Sequence, residues 1–503
     1  MFDLLNNLAL GFSVAVTPYN VLFCLIGALV GTLVGVLPGI GTVATIAMLL
    51  PITFGLPPVG ALIMLAGIYY GAQYGGSTTS ILVNIPGESS SIMTTLDGHQ
   101  MAKQGNAGKA LAIAAIGSFI AGCFATILVA ALAAPLTSIA LMFGPAEYFS
   151  LMVLGLIFAV VLARGSIVKA LAMIVFGLLL SMIGSDLETG AGRMTFDFPE
   201  LADGIGFANV AMGVFGFAEI IRNLERSSEE RSLVNDKVTG LMPTWADLKA
   251  CLPTISRGTV VGSILGILPG GGAVIASFAA YTLEKKVAKN PSRFGRGAIE
   301  GVAAPESANN AAAQTSFIPL LTLGIPPNAV MALMVGAMTI HGIIPGPQVM
   351  TKQPDLFWGM IASMWIGNLM LIIINLPLVG IWVKLLRVPY RLLYPSILVF
   401  CCIGVYSINN SPWDVVIAGA SGLVGYWLIK HDFEAAPLLL GFVLGPLMEE
   451  NLRRAMLIAR GDASIFITRP ISAGLLLVAL ILLIIAVLPM MRKRRDEVFV
   501  EET

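Results

Sequence analysis

Long apolar runs separated by short polar segments dominate the chain. Runs of 18 or more residues recur, among them 110–134, 151–163 with 167–183, 361–383 and 471–490. A helix needs about 20 apolar residues to cross a bilayer core of roughly 30 Å, and we count ten to twelve such crossings. Transmembrane strands would instead show short segments of alternating polarity. The pattern therefore predicts an all-α polytopic membrane protein.

Two apolar stretches are interrupted by nearly the same motif. Gly35-Val-Leu-Pro-Gly-Ile-Gly41 is matched 231 positions later by Gly266-Ile-Leu-Pro-Gly-Gly-Gly272. Each is followed, 45 to 55 residues on, by a second break, Asn84-Ile-Pro-Gly87 and Gly324-Ile-Pro-Pro327. Corresponding helix breaks in two halves of a membrane protein are the best sequence indicator of a transporter's binding site. We therefore expect two repeats with broken helices, in inverted orientation.

The repeats and the polar segments between them suggest four parts. We predict a first transmembrane repeat at 1–221, a polar connecting segment at 222–257, a second transmembrane repeat at 258–430 and a C-terminal membrane segment with a basic tail at 431–503. The connecting segment carries six Lys/Arg and five Asp/Glu.

Each half also contains a segment rich in small and polar residues. In the first half, Tyr74–Ser80 leads into the break within Ile81–Ser91; in the second, Ala304–Asn310 leads through Gln314–Ser316 into the break within Leu321–Asn328. The flanking apolar stretches are too short to span a membrane alone. This composition predicts re-entrant hairpins, whose non-helical tips are tolerated at membrane depth only when buried in protein or lining a wet cavity.

Composition and charge support a membrane location. The chain is 57% hydrophobic and 12% charged, against about 25% charged in a typical soluble domain. The basic run Arg492–Arg495 follows the last apolar run, so the positive-inside rule places the C-terminus in the cytoplasm. Four arginines precede the same apolar run and favour the opposite orientation: Arg453, Arg454, Arg460 and Arg469. We give the contiguous tail more weight. Residues 1–20 contain no Lys or Arg, so we expect no cleavable signal peptide.

Several motifs together resemble the large membrane subunit of the tripartite tricarboxylate transporter family, over nearly the whole chain. They are the two Leu-Pro-Gly and two Ile-Pro breaks, Tyr74–Ser80, Thr95–Gln100, Ala304–Asn310, His341–Pro347 and Gly445–Glu450. The resemblance implies a secondary transporter of the bacterial inner membrane, working by an elevator-type mechanism. It also implies a small four-helix membrane subunit and a periplasmic solute-binding protein as partners, with citrate-type carboxylates as substrates and sodium or protons as coupling ions.

The sequence keeps other functions open. The substrate can be another small organic acid, such as a dicarboxylate or an aromatic carboxylate. A membrane-embedded enzyme is less expected, because no catalytic or metal-ligand spacing is present, and we expect no cofactor. The chain has no Gly-x-x-x-x-Gly-Lys-Ser/Thr phosphate loop, so ATP-driven transport is not indicated.

An anionic substrate would meet no basic side chain near the breaks, since residues 19–100 and 299–351 contain neither Lys nor Arg. Helix N-termini and backbone N–H groups are the remaining positive groups, each helix end contributing about half a charge. We predict substrate binding at Asn84, Pro86, Gly87, Ser89, Ser90, Thr322, Gly324, Pro326 and Asn328.

Two such helix ends balance only about one negative charge, which makes a co-transported cation sensible. Sodium would prefer oxygen ligands. We predict cation binding at Gly39, Thr42, Ser77, Thr78, Gly270, Glu306, Asn309 and Asn310. For Glu306, sodium binding, proton carriage and a plain position at a water interface beside Pro305 all remain open.

Overall fold

The computed structural model describes residues 2–37, 41–162, 166–186, 189–225, 240–268, 272–386 and 390–487. It is 81% helical and confirms the all-α polytopic class. The predicted site glycines Gly39 and Gly270, the basic tail and residues 226–239 of the connecting segment lie outside the described residues.

The first ten helices and the elements between them run as follows. They are α1 (Phe2–Ala15), α2 (Pro18–Val36), α3 (Thr42–Thr53), α4 (Pro58–Val83), a 3-10 turn (Ser89–Ser91), α5 (Ile92–Lys103), α6 (Ala107–Ala140), α7 (Pro145–Leu162), α8 (Ile167–Ser181), strands β1 (Gly184–Ser185) and β2 (Gly192–Arg193), a 3-10 turn (Pro199–Leu201), α9 (Phe207–Ala211), a π-helical segment (Met212–Phe217) and α10 (Ala218–Glu225).

The remaining elements are α11 (Trp245–Ile267), α12 (Gly272–Val287), a 3-10 turn (Pro291–Arg293), α13 (Glu300–Thr315), α14 (Phe317–Leu323), α15 (Ala329–Ile340), α16 (Pro347–Lys352), α17 (Pro354–Asn375), α18 (Val379–Leu385), α19 (Tyr390–Asn409), α20 (Pro412–Lys430), α21 (Ala435–Ile458), α22 (Ile465–Thr468) and α23 (Pro470–Val487). β1 and β2 pair antiparallel. Several helices, α2 and α4 among them, begin with proline, whose fixed φ suits the first helical position.

Among the described residues, five helices are long and apolar enough to cross a membrane: α2, α6, α11, α17 and α20. Five shorter helices, α3, α7, α8, α15 and α23, are also apolar. The expected ten to twelve crossings and the inverted orientation of the repeats stay predictions.

The two halves share one order of elements. In the first, α2 ends at the Leu-Pro-Gly motif, the short α3 follows, and α4 leads through the Ile-Pro break into α5. In the second, α11, α12, α13 with α14, and α15 follow the same plan. α11 begins inside the predicted connecting segment because Thr244 and Asp247 form a capping box there. The proposed domain boundaries themselves stay predictions.

The polar stretches are not where the chain leaves the helical conformation. Tyr74–Ser80 is buried inside α4, and Ala304–Asn310 is buried inside α13. The breaks come later, at 84–88 and 324–328. A continuous helix satisfies its own backbone hydrogen bonds, so polar side chains alone do not end it at membrane depth. The non-helical segments therefore lie at the Ile-Pro breaks, and the polar stretches before them stay helical.

The arginines before the last apolar run are largely neutralised. Arg453 pairs with Asp186 at 2.5 Å and Glu449 at 2.7 Å, and Arg469 pairs with Glu147 at 2.8 Å. Arg454 pairs with Glu450 one turn earlier in α21. These pairs hold the β1–β2 hairpin and the start of α7 against the ends of α21 and α22. The arginines thus have a structural role that the sequence did not reveal.

Candidate functional site

The first Ile-Pro break begins where α4 ends. Asn84 takes the left-handed conformation (φ 61°), which stops the helix, and Asn84, Pro86 and Ser89 are exposed. Gly87 is buried because the chain passes very close to α2: an added Cβ would lie 2.0 Å from the carbonyl oxygen of Gly35. Only glycine fits this position.

A carboxylate connects this break to the Leu-Pro-Gly break of the same repeat. Glu88 accepts the backbone N–H of Thr42 at 2.5 Å and also the Thr42 hydroxyl. Thr42 is the first residue of α3, so the carboxylate lies at a helix N-terminus, where negative charge is favoured. Ser90, buried in the following turn, donates its hydroxyl to Gln73 Oε1 in α4.

The second Ile-Pro break repeats the backbone with different chemistry. Gly324 takes the left-handed conformation (φ 74°) at the end of α14, and Thr322, Gly324 and Pro326 are buried. Asn328 caps α15, its Oδ1 accepting the N–H of Met331 at 3.0 Å. Its Nδ2 has no hydrogen-bond partner among the described residues. Thr322 donates to Ile318 at 2.7 Å, so its hydroxyl is engaged in its own helix.

Glu88 and Asn328 hold the same place in the two repeats. Each lies four residues after the left-handed residue that ends the preceding helix, Asn84 or Gly324. Each also lies near the start of its repeat's short helix: Asn328 Cβ is 3.9 Å from where a Cβ on Gly272 would stand. The 3-10 turn after Glu88 packs against α12, and α15 packs against α3, so the two repeats interlock at these breaks.

A second polar centre surrounds Glu306, which is fully buried in α13. Its Oε2 accepts the Ser77 hydroxyl at 2.5 Å and Asn309 Nδ2 at 3.3 Å. Its Oε1 accepts the hydroxyl of Thr94 from α5. In the part of the chain that the structure describes, no basic side chain pairs with Glu306. It is therefore a buried carboxylate held by neutral donors from both repeats.

Asn310 extends this centre toward α6. Its Nδ2 contacts Ser118 Oγ at 2.7 Å and Asn309 Oδ1 at 2.5 Å. Ser118 also donates to the backbone carbonyl of Glu306 at 3.4 Å. Four predicted cation ligands therefore belong to one hydrogen-bond network: Ser77, Glu306, Asn309 and Asn310.

One turn along α5 from Thr94, Asp97 fixes the two repeats to each other. Its Oδ1 accepts the N–H groups of Gly297 and Ala298 at 2.8 and 2.7 Å, and its Oδ2 accepts the Tyr281 hydroxyl at 2.9 Å. Asp97 is fully buried and lies inside α5, although Asp-Gly is a common turn sequence. It holds α5 against the start of α13, beside the Glu306 centre.

The structure divides the predicted residues into separate groups. The predicted substrate residues lie at the two Ile-Pro breaks. The first break contains Asn84, Pro86, Gly87, Ser89 and Ser90, and the second contains Thr322, Gly324, Pro326 and Asn328. Thr42, predicted as a cation ligand, belongs to the first break through Glu88, and Thr78 lies beside the Glu306 centre. Sequence reasoning missed Glu88, Thr94, Asp97 and Ser118. Only Glu88 carried a local signal, its position directly after the Ile-Pro-Gly break.

Broken helices in two matching halves, with a buried carboxylate between them, define a multi-pass helical membrane protein of the transporter class. The chain belongs to the tripartite tricarboxylate transporter TctA family, whose model matches residues 21–440.

Two relatives come from Agrobacterium vitis. An uncharacterized 52.8 kDa protein in the TAR-I ttuC' 3' region is 61% identical over 502 residues, covering all of both chains. An uncharacterized protein in the TAR-II ttuC' 3' region is 66% identical over 241 residues, covering 48% of this chain and all of that one. No solved structure matches the chain.

Proposed function

We propose that the chain is the translocating subunit of a cation-coupled importer that carries a citrate-type carboxylate across the bacterial inner membrane. One observation supports the coupling of transport to a cation most directly: Glu306 is a fully buried carboxylate that accepts hydrogen bonds from neutral donors of both repeats. A buried charge is costly unless it is paired or neutralised, so a cation or proton that reaches Glu306 would be bound strongly.

The breaks support carriage of an anion. No basic residue occurs in 19–100 or 299–351, so the positive groups available to a carboxylate are helix ends and amide N–H groups. The unpartnered Nδ2 of Asn328 is one such donor. With about half a charge per helix end, a citrate-type anion needs a cation beside it.

Family membership supports the rest of the system. We propose a small four-helix membrane subunit as the constant partner and a periplasmic solute-binding protein as the source of substrate. The C-terminal tail would lie in the cytoplasm. The two repeats would carry substrate and cation together in an elevator-type movement.

The test is uptake of labelled citrate into proteoliposomes that hold this chain, the small subunit and the binding protein. We expect accumulation driven by an inward sodium or proton gradient, and exchange of unchanged citrate across the membrane. Full-rate accumulation without either gradient would overturn the coupling. Chemical conversion of citrate would indicate an enzyme instead. Accumulation of a dicarboxylate or aromatic acid in place of citrate would change the substrate and keep the mechanism.

A further inference from the structure

A small polar cavity lies directly beside the Glu306 centre, enclosed by α4, α6 and the end of α17. Its polar lining comes from Tyr74, Ser77, Thr78, Ser118 and Asn375, and aliphatic side chains complete the wall. It is large enough for one water molecule or one dehydrated sodium ion. We infer that this cavity, with Tyr74 and Asn375 as ligands, is the binding site of a sodium-sized monovalent cation. The inference rests on the proposed cation coupling and gives that cation a location.

Two lining residues carry buried oxygens without partners. Tyr74 Oη and Asn375 Oδ1 have no hydrogen-bond partner among the described residues, and these residues are only 3% and 5% exposed. The Nδ2 of Asn375 donates hydrogen bonds to the Leu371 carbonyl oxygen at 2.9 Å and to Thr32 Oγ1 at 3.4 Å. The free atom of this amide is therefore its oxygen, which can accept a hydrogen bond or coordinate a cation.

The electrostatic setting favours a positive ion. Asn375 is the last residue of α17, and a helix C-terminus carries about half a negative charge. Ser77 lines the cavity and also donates to Glu306 Oε2 at 2.5 Å. An ion in the cavity would thus lie one hydroxyl group away from an uncompensated buried carboxylate.

The ligand chemistry restricts the kind of ion. All the candidate ligands are oxygens, which hard cations prefer. Within the described ranges, the cavity lining contains no carboxylate and Glu306 is the one that its residues contact, so the site suits one positive charge better than two. None of these five lining residues is a Cys or His, so soft metals are disfavoured.

The test compares two matched variants in the purified complex with the small subunit. Sodium is titrated against choline at constant ionic strength, and the thermal unfolding midpoint is followed. We expect a saturable rise in midpoint with sodium. Tyr74→Phe should raise the half-saturating concentration about tenfold, as expected for one lost contact to a charged group. Tyr70→Phe, one turn earlier in α4 and equally buried but outside the cavity, should stay within about twofold.

Asn375→Ala provides a second variant, because it removes the free oxygen from another helix and should also weaken sodium binding. Equal effects of Tyr74→Phe and Tyr70→Phe, or no saturable sodium effect, would overturn the inference, and the cavity would then hold water alone. Citrate uptake on a proton gradient without sodium binding would overturn the proposed sodium site but leave the proposed importer standing. Sodium binding as expected, without uptake of any carboxylate, would support this site and overturn the proposed importer.

Discussion

Glu88 accepts the backbone N–H of Thr42 at 2.5 Å, so a carboxylate from the first Ile-Pro break lies on the first residue of α3. In the second repeat the equivalent residue, Asn328, is uncharged and caps α15 instead. The two breaks therefore share a backbone plan but differ in charge. The first already holds an anion of its own, whereas the second offers an unpartnered amide N–H.

We predict that Glu88→Gln strengthens the binding of a carboxylate substrate. Gln keeps an oxygen for Thr42 but removes a negative charge that repels the substrate and competes for the α3 terminus. The KM for citrate uptake should fall about fivefold, within the range of helix-terminus charge effects. Asn328→Asp places a charge at the equivalent position and should raise KM. An increase in KM for Glu88→Gln would mean that Glu88 helps to hold the substrate.

We predict that Glu306→Gln uncouples transport. Gln has the size of Glu but no charge, so the centre no longer needs a cation for neutrality. Gradient-driven citrate accumulation should fall at least about tenfold, while citrate exchange between the two sides continues. Glu300→Gln, on the same helix but in a partly exposed pair with Arg293, is the control and should behave like the unchanged protein.

The same variant separates the two coupling ions. If Glu306 carries a proton, Glu306→Gln should remove the pH dependence of uptake. If it attracts sodium to the neighbouring cavity, the half-saturating sodium concentration should rise instead. Unchanged uptake, pH profile and sodium dependence would exclude Glu306 from coupling.

We predict that Thr94→Val strengthens the binding of the coupling cation, because the Thr94 hydroxyl is one of the neutral donors to Glu306. Val keeps the shape but removes the hydroxyl that Thr94 donates to Glu306, leaving the buried carboxylate with one donor fewer. The cation concentration for half-maximal uptake should fall about threefold to tenfold, since a less satisfied buried carboxylate gains more from a cation. Thr95→Val is the adjacent control, because the Thr95 hydroxyl donates to the Ile92 carbonyl of its own helix and not to Glu306. Equal behaviour of the two variants would contradict a specific role for Thr94.

We predict that Gly87→Ala destabilises the protein. The added methyl group would meet three backbone atoms: the Gly35 carbonyl oxygen at 2.0 Å, the Gly76 Cα at 2.8 Å and the Gly35 carbonyl carbon at 3.1 Å. None of these backbone atoms can move aside like a flexible side chain, so the free energy of unfolding should fall by at least about 2 kcal/mol. Gly55→Ala, where an added Cβ meets nothing within 4 Å, is the control. Thermal unfolding of both variants in detergent measures the difference.

The sequence predicted the breaks well because Pro and Gly act locally. The left-handed residues Asn84 and Gly324 lie where the Ile-Pro motifs indicated. The structure also brings together four of the predicted cation ligands, Ser77, Glu306, Asn309 and Asn310, as expected for polar residues in an apolar chain; their binding of a cation stays a prediction. The sequence did not show how far the helices extend into the polar stretches, because side-chain polarity does not reveal that a backbone stays hydrogen-bonded within its helix.

Tertiary contacts explain what was missed. Thr94 and Asp97 are ordinary residues in their local sequence, and their roles depend on α13 and the turn before it, about 200 positions later. Asp97-Gly98 lies in a helix because the carboxylate receives two backbone N–H groups from that turn. No local pattern contains this information.

The Asp97 contact also restricts how this protein can evolve. A Cβ on Gly301 would lie 2.2 Å from Asp97 Oδ2, so a side chain at position 301 and a carboxylate of this length at 97 exclude each other. A side chain at position 301 is therefore tolerated only when position 97 has first lost this carboxylate. Across relatives these two positions, one in each repeat, should therefore change as a correlated pair.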